Sequence, residues 1–227
     1  MPAVPHGAGG PPPIAPRGNA LASFPRRADI SGMTALPPLA VRDDVLAFLA
    51  GRRSRPAKTL RGPGPSAEDL VPLLRIAARS PDHGKLEPWR FVVLGPQTRA
   101  AWAAATERRG AARTEPEDKL AKAVAMFRDA PAMVAVVAAP VHSDKIPEAE
   151  QLLSAGAATY GLLTAALAAG WGANWLSGWM ARDRPLLAEM GLADGEWIAG
   201  FVVIGTEGPV PPDRPRPDLD AKVEWRA

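Results

Sequence analysis

Residues 151–181 constrain the fold more than any other stretch, because none of them carries a charged side chain. "EQLLSAGAATYGLLTAALAAG" reads as one long helix, and the uncharged length is enough to cross a bilayer. Its content is mostly Ala, Gly, Thr and Ser with scattered Leu, so its apolar payload is modest. Ala157, Gly161, Ala165 and Ala169 form a row of small residues four apart, which lets another helix approach closely. Such rows also occur in membrane helix pairs, so the row alone leaves both readings open. The tryptophan-rich "WGANWLSGW" that follows has the character of a strand, which fits a soluble core better than a single span. The expectation is a buried helix at a subunit interface, with no membrane partner.

Such a helix needs a sheet to pack on, and four segments can supply one. "WRFVVLG", "AMVAVVAA", "WGANWLSGW" and "EWIAGFVVIGT" read as strands, the second apolar enough to be buried on both faces. Folded sequence begins near Val41. Asp43 and Asp44 suit a helix start, Val45, Leu46, Phe48 and Leu49 its apolar face, and Gly51 its end. In "SAEDLVPLLRIAARS", Ser66 is a candidate N-cap with Asp69 three residues on. Pro72 conflicts with a straight helix there: either the helix bends, or it begins near Asp69 with Pro72 in its first turn. Further helices are expected near residues 98–107, 117–129 and 185–190, and the proline-rich tail from Glu207 is expected to be extended. The chain therefore divides into residues 1–40, a Pro-, Gly- and Ala-rich extension expected to be disordered, and one domain at 41–227. Arg17, Arg26 and Arg27 give the extension a faint transit-peptide character, which its prolines oppose; Met33 is an alternative start. It has no continuous apolar stretch for secretion, so a cytoplasmic location is expected.

Charge narrows the function classes. With 27 basic and 24 acidic residues the net charge is only +3, too balanced for a general nucleic-acid binder. The absence of cysteine excludes disulfides, thiolate zinc sites, iron–sulfur clusters and cysteine nucleophiles. Three histidines make a histidine-rich metal centre implausible. "GWGANW" has two of the three glycines of a dinucleotide fingerprint and follows a helix, "GPGPS" lacks the lysine of a P-loop, and there is no G-x-S-x-G elbow. Asp82 and His83 are adjacent, but lone histidines of this kind are more often structural. Demanding chemistry in such a chain comes from a few side chains or from a borrowed cofactor.

Two segments could hold one. In "GRRSRPAK", Arg52, Arg53 and Ser54 follow a helix end, where guanidinium forks and a hydroxyl suit a phosphate; a solvated basic turn is the plainer alternative. In "ARSPDHGKLEPWRF", a helix stops at Pro81 and a loop offers Arg79, His83 and Lys85 before a strand; an ordinary polar connection is the alternative.

Taken in order, "RRSRP", "ARSPDHGKLEPWRFVVL", "WGANWLSG" and "FVVIGT" resemble the nitroreductase family, most nearly its small subgroup with a "PDH" in the second motif. The resemblance runs from about Leu46 to Thr206. It implies an α+β fold, a mainly antiparallel central sheet flanked by helices, in an intertwined homodimer with FMN at the subunit interface. It implies that Arg52, Arg53 and Ser54 hold the FMN phosphate and ribityl chain, and that Arg79 and His83 reach the same flavin from the other subunit. Trp175, Leu176 and Ser177 match a segment beside the flavin, although close relatives carry arginine where Leu176 stands. The proline-rich tail would reach across to the partner. The implied activity is a ping-pong reaction in which NADH or NADPH reduces FMN, and FMN then reduces a small acceptor such as a nitroaromatic or quinone. A flavin-binding or flavin-processing protein of the same fold without nitroreductase turnover is the alternative.

Overall fold

The computed structural model describes residues 38–226; the expectations for Arg17, Arg26, Arg27 and Met33 lie outside them. Six α-helices and four strands alternate irregularly along the described chain. They are α1 (Asp43–Gly51), α2 (Ala67–Ala77), β1 (Trp89–Leu94), α3 (Pro96–Ala112), α4 (Glu117–Arg128), β2 (Ala132–Ala138), α5 (Glu148–Ala168), β3 (Gly172–Leu176), α6 (Arg184–Glu189) and β4 (Trp197–Gly205).

The strands form one sheet in the order β1-β2-β4-β3, with every neighbouring pair antiparallel. Strand β2 is buried along its whole length, as its unbroken apolar sequence requires for a central strand. Alternation divides the sheet between two cores. Val134, Val136, Val202 and Ile204 pack with Leu70, Leu73 and Ala77 of α2 and with Ala158, Leu162 and Ala166 of α5. Met133, Ala135, Val137, Phe201 and Val203 pack on the other side with Trp102 of α3, Phe127 of α4, and Leu186 and Leu187 of α6. There, Phe127 meets Trp102 and Phe201 edge-on, at centroid distances of 6.0 and 5.2 Å.

The register slips once. Val136 lies opposite Gly200 and Val137 opposite Ile198, so Ala199 is an extra residue in β4. Bulges of this kind release a backbone group from the ladder and often sit beside functional sites.

Two expectations are sharpened. Helix α2 starts ahead of Pro72, not within a turn of it. Ser66 and Asp69 form a capping box, with Asp69 N donating to Ser66 Oγ at 3.2 Å and Ser66 N to Asp69 Oδ2 at 3.1 Å. Pro72 then removes one bond, the one Glu68 O would accept, and Glu68 is exposed, so that carbonyl can be hydrated instead. In the small-residue row of α5, Gly161 faces α2 of the same chain: a Cβ there would come within 3.2 Å of Ala77 Cα. That close approach is intrachain. Although α5 is long and apolar enough to span a membrane, it lies on the sheet between β2, β3, β4 and α2.

Candidate cofactor site

The basic segment is held in place by backbone. Arg52 N closes α1 by donating to Phe48 O at 2.8 Å, and three residues later Arg55 N donates to Ala173 O of edge strand β3, also at 2.8 Å. The segment is thereby fixed beside the strand that leads to Trp175, Leu176 and Ser177. Its side chains knit locally: Arg52 Nη2 donates to Ser54 Oγ at 3.3 Å and Arg53 Nη1 to Ser54 O at 3.1 Å. Arg55 is matched by Glu207. Arg52 and Arg53 have no carboxylate partner among the described residues, and the Nε of each is buried without an acceptor. Arg52 also lies over the ring of Tyr160 on α5, 5.6 Å from its centroid. Two adjacent guanidinium groups with buried, unanswered donors fit a phosphate, whose oxygens accept such forks.

The second segment is organised by Asp82, not by His83. The Asp82 carboxylate accepts from Leu86 N at 3.2 Å and from Glu87 N at 2.8 Å. The loop it closes holds Gly84 at φ 73°, and also Lys85 at 56° and Glu87 at 48°, a region that side chains other than glycine rarely enter. Pro81 O accepts from Ser154 Oγ at 2.7 Å, which in turn accepts from Trp89 Nε1 at 3.1 Å, so the loop is locked to α5 and β1. The outcome is a rigid loop that displays Arg79 and His83 on the surface. His83 Nδ1 pairs with Glu150 Oε2 at 2.8 Å.

Helix α5 measures the gap between the halves. Arg52 meets it at Tyr160 and His83 at Glu150, ten residues and about 15 Å apart along the axis. One chain does not bring Arg79 and His83 into hydrogen-bonding contact with Arg52, Arg53 and Ser54.

In the third segment, Trp175 and Ser177 line a groove of about 380 Å³, together with Arg182 and Trp197. The bulge helps to shape it: Trp175 Nε1 donates to Ala199 O at 3.2 Å, and a Cβ at Gly200 would collide with the same indole. Leu176 instead packs against the core shared by α3, α4 and α6. Its side chain is structural, so any cofactor contact there would be made by its backbone. The stretch beyond the groove is clamped by Asp183, whose carboxylate caps α6 through Leu186 N at 3.1 Å. It also accepts from Arg109 Nε at 2.7 Å and Arg113 Nη1 at 2.6 Å. Burial alone would raise the Asp183 pKa, but these donors outweigh it and hold the group below its ordinary value. Trp197 and Tyr160 belong to this region only through tertiary contacts, whereas Arg182 and Asp183 lie five and six residues beyond Ser177, just past the third motif. No group of three or more metal-ligating side chains occurs among the described residues.

Fold and site together define an α+β protein with helices on both faces of one antiparallel sheet and a cluster of cationic side chains beside an edge strand. The chain belongs to the nitroreductase family, whose model matches residues 49–206. It is 35% identical over 72% of its length to YdjA of Escherichia coli (strain K12), 88% of which is covered and whose name assigns it provisionally as an NAD(P)H nitroreductase. Among solved structures it resembles a nitroreductase-like protein from Bacillus cereus, with TM-score 0.67 and 22% identity over 85% of this chain and 99% of that one. It also resembles a variant of NfnB, an FMN- and NADPH-dependent nitroreductase from Sphigopyxis sp. strain HMH, with TM-score 0.60 and 20% identity over 80% and 98%.

Proposed function

We propose that this chain is an FMN-dependent oxidoreductase, which uses NADH or NADPH to reduce small acceptors such as nitroaromatics and quinones by a ping-pong mechanism. The observation that carries this reading is the pair of buried, unanswered Nε donors on Arg52 and Arg53, inside the region the family model matches. Arg52, Arg53 and Ser54 would bind the FMN phosphate and ribityl chain. Arg79 and His83 would complete the site from the second subunit of a homodimer, which accounts for their separation within one chain. Trp175 and Ser177 would flank the ring system by side chain, and Leu176 by backbone. When bound, FMN supplies the hydride acceptance and donation that no side chain here can perform. The chain's own part is to orient the partners, exclude water and present fixed positive charge, and no acid–base residue is required for that.

The same reading places the enzyme in the cytoplasm, assigns the folded domain to residues 41–227 with 1–40 as an extension, and places the chain in the family's PDH subgroup on the "PDH" at Pro81, Asp82 and His83. Nucleic acid and membrane are not partners. The test is spectroscopic. The purified protein is expected to be yellow and dimeric, to bleach anaerobically on adding NADH or NADPH, and to recover its colour with a quinone. A yellow protein that resists both reductants would favour flavin binding without turnover. A colourless protein that FMN cannot reconstitute would overturn both.

A further inference from the structure

The groove beside Trp175 carries one charged residue among the described residues that line it, Arg182. The rest of the lining is aromatic, aliphatic or small, including Leu152, Trp175, Ser177, Trp197 and Ile198. The guanidinium of Arg182 lies over the Trp197 ring, 4.0 Å from its centroid. A cation–π contact of this kind uses no N–H donor, so the fork can still take an acceptor. No hydrogen bond or ion pair of that side chain occurs among the described residues. The carboxylates next to it in sequence or across the groove are already engaged: Asp183 with Arg109 and Arg113, and Glu196 with Arg90 at 2.7 Å through both oxygens. Trp175 is tied to the bulge by its bond to Ala199 O, so the groove sets two indoles beside one uncommitted cation.

We infer that Arg182 is a specificity-determining residue that selects aromatic acceptors carrying a carboxylate. The ring lies against the indoles, and the carboxylate takes the free edge of the guanidinium fork in bidentate fashion. This inference rests on the oxidoreductase reading proposed above. For a nitrobenzoate the step is balanced as nitrobenzoate plus NAD(P)H plus one proton giving nitrosobenzoate, NAD(P)⁺ and water. The nitro group is reduced by two electrons and loses one oxygen, and the carboxylate takes no part.

The experiment compares para-nitrobenzoate with its neutral isostere para-nitrobenzamide in wild type, Arg182→Gln and Arg182→Lys. A charge-assisted pair of this kind predicts that Arg182→Gln lowers the ratio of kcat/KM for benzoate over benzamide by about 10- to 100-fold, with Arg182→Lys recovering part of it. The loss should fall mainly in KM. A second readout needs no turnover: quenching of tryptophan fluorescence by para-nitrobenzoate in the oxidised FMN-loaded protein should weaken by a similar factor in Arg182→Gln. An unchanged ratio overturns the inference, as does a rise in the KM for NADH or NADPH that accounts for the whole effect. If wild type reduces neither acceptor nor a quinone, the oxidoreductase reading falls. The quenching titration still decides the groove: saturable binding lost in Arg182→Gln upholds Arg182 as the carboxylate anchor, and no binding refutes it.

Discussion

At the scale of single residues, Arg52 and Arg53 keep buried Nε–H groups without acceptors. In a folded chain such a group costs roughly 1–3 kcal/mol, so their persistence is better explained by a ligand than by stability. Removing one should therefore hurt binding more than folding. Arg52→Ala is expected to weaken FMN binding by about 10- to 100-fold, the worth of a charge-assisted hydrogen bond. The melting temperature of the flavin-free protein should change little, because the variant loses only the contact with Tyr160 and one long hydrogen bond to Ser54 Oγ. FMN fluorescence titration and a thermal melt measure the two effects, and unchanged flavin affinity would refute the phosphate assignment. This part of the site was legible in the sequence because it is local: four cations in eight residues after a helix end need no tertiary structure to be noticed. The partners that complete it were not legible. Tyr160 and Glu150 reach the region because α5 packs beside both segments, and Arg182, five residues past Ser177, is marked only by its contact with Trp197.

At the scale of elements, the clearest dependence on one side chain is at α6. This helix is a single short stretch, too brief to be stable alone, and Asp183 serves it both as cap and as anchor to α3. Asn can still cap α6, but it leaves Arg109 and Arg113 facing an uncharged amide, so Asp183→Asn should destabilise the fold by on the order of 2 kcal/mol near neutral pH. The sign of the pH dependence follows from the depressed pKa. The folded-state value lies below the ordinary 3.8, so the carboxylate's contribution is fully present above that value and is lost as pH falls through the folded-state pKa. Thermal melts of wild type and Asp183→Asn should thus differ most above about pH 5 and draw together as pH falls through the lowered folded-state pKa. A gap that does not shrink in acid would mean that Asp183 acts by shape alone. Element types and order could be read from the sequence because each core-facing pattern is strong: unbroken apolar runs in β2 and β4, small and apolar spacing in α5. The fate of Pro72 could not, because it depended on whether Ser66 and Asp69 would close a capping box upstream. The small-residue row pointed to a close helix approach, but only packing could show that Gly161 approaches α2 of its own chain.

At the scale of the whole molecule, apolar surface is left over. Helix α1 has no buried residue, and Val45, Leu46 and Leu49 are 41%, 59% and 44% exposed. The extended tail ends with Leu219, Val223 and Trp225 outside the core, Trp225 at 91%. A chain with two well-filled cores has no internal reason to leave a helix and a tryptophan in water, and such surface ordinarily marks an interface. The homodimer proposed above offers a single explanation: α1 and the tail are covered by the partner, and the same contact brings Arg79 and His83 to the other subunit's Arg52. If so, assembly and cofactor binding are linked, since FMN would bind only where both halves meet. Leu46→Glu with Leu49→Glu, or removal of residues 210–227, should shift the protein from dimer to monomer in analytical ultracentrifugation. Both changes should release FMN although they leave Arg52, Arg53 and Ser54 untouched. The isolated chain should keep its helical circular dichroism, because neither change touches the two cores. Adding FMN in excess should partly restore the dimer of the truncated form, by mass action on the shared site. A monomer that binds FMN as tightly as wild type would show that each chain holds a complete site, and the assignment of Arg79 and His83 to the partner's flavin would have to be abandoned.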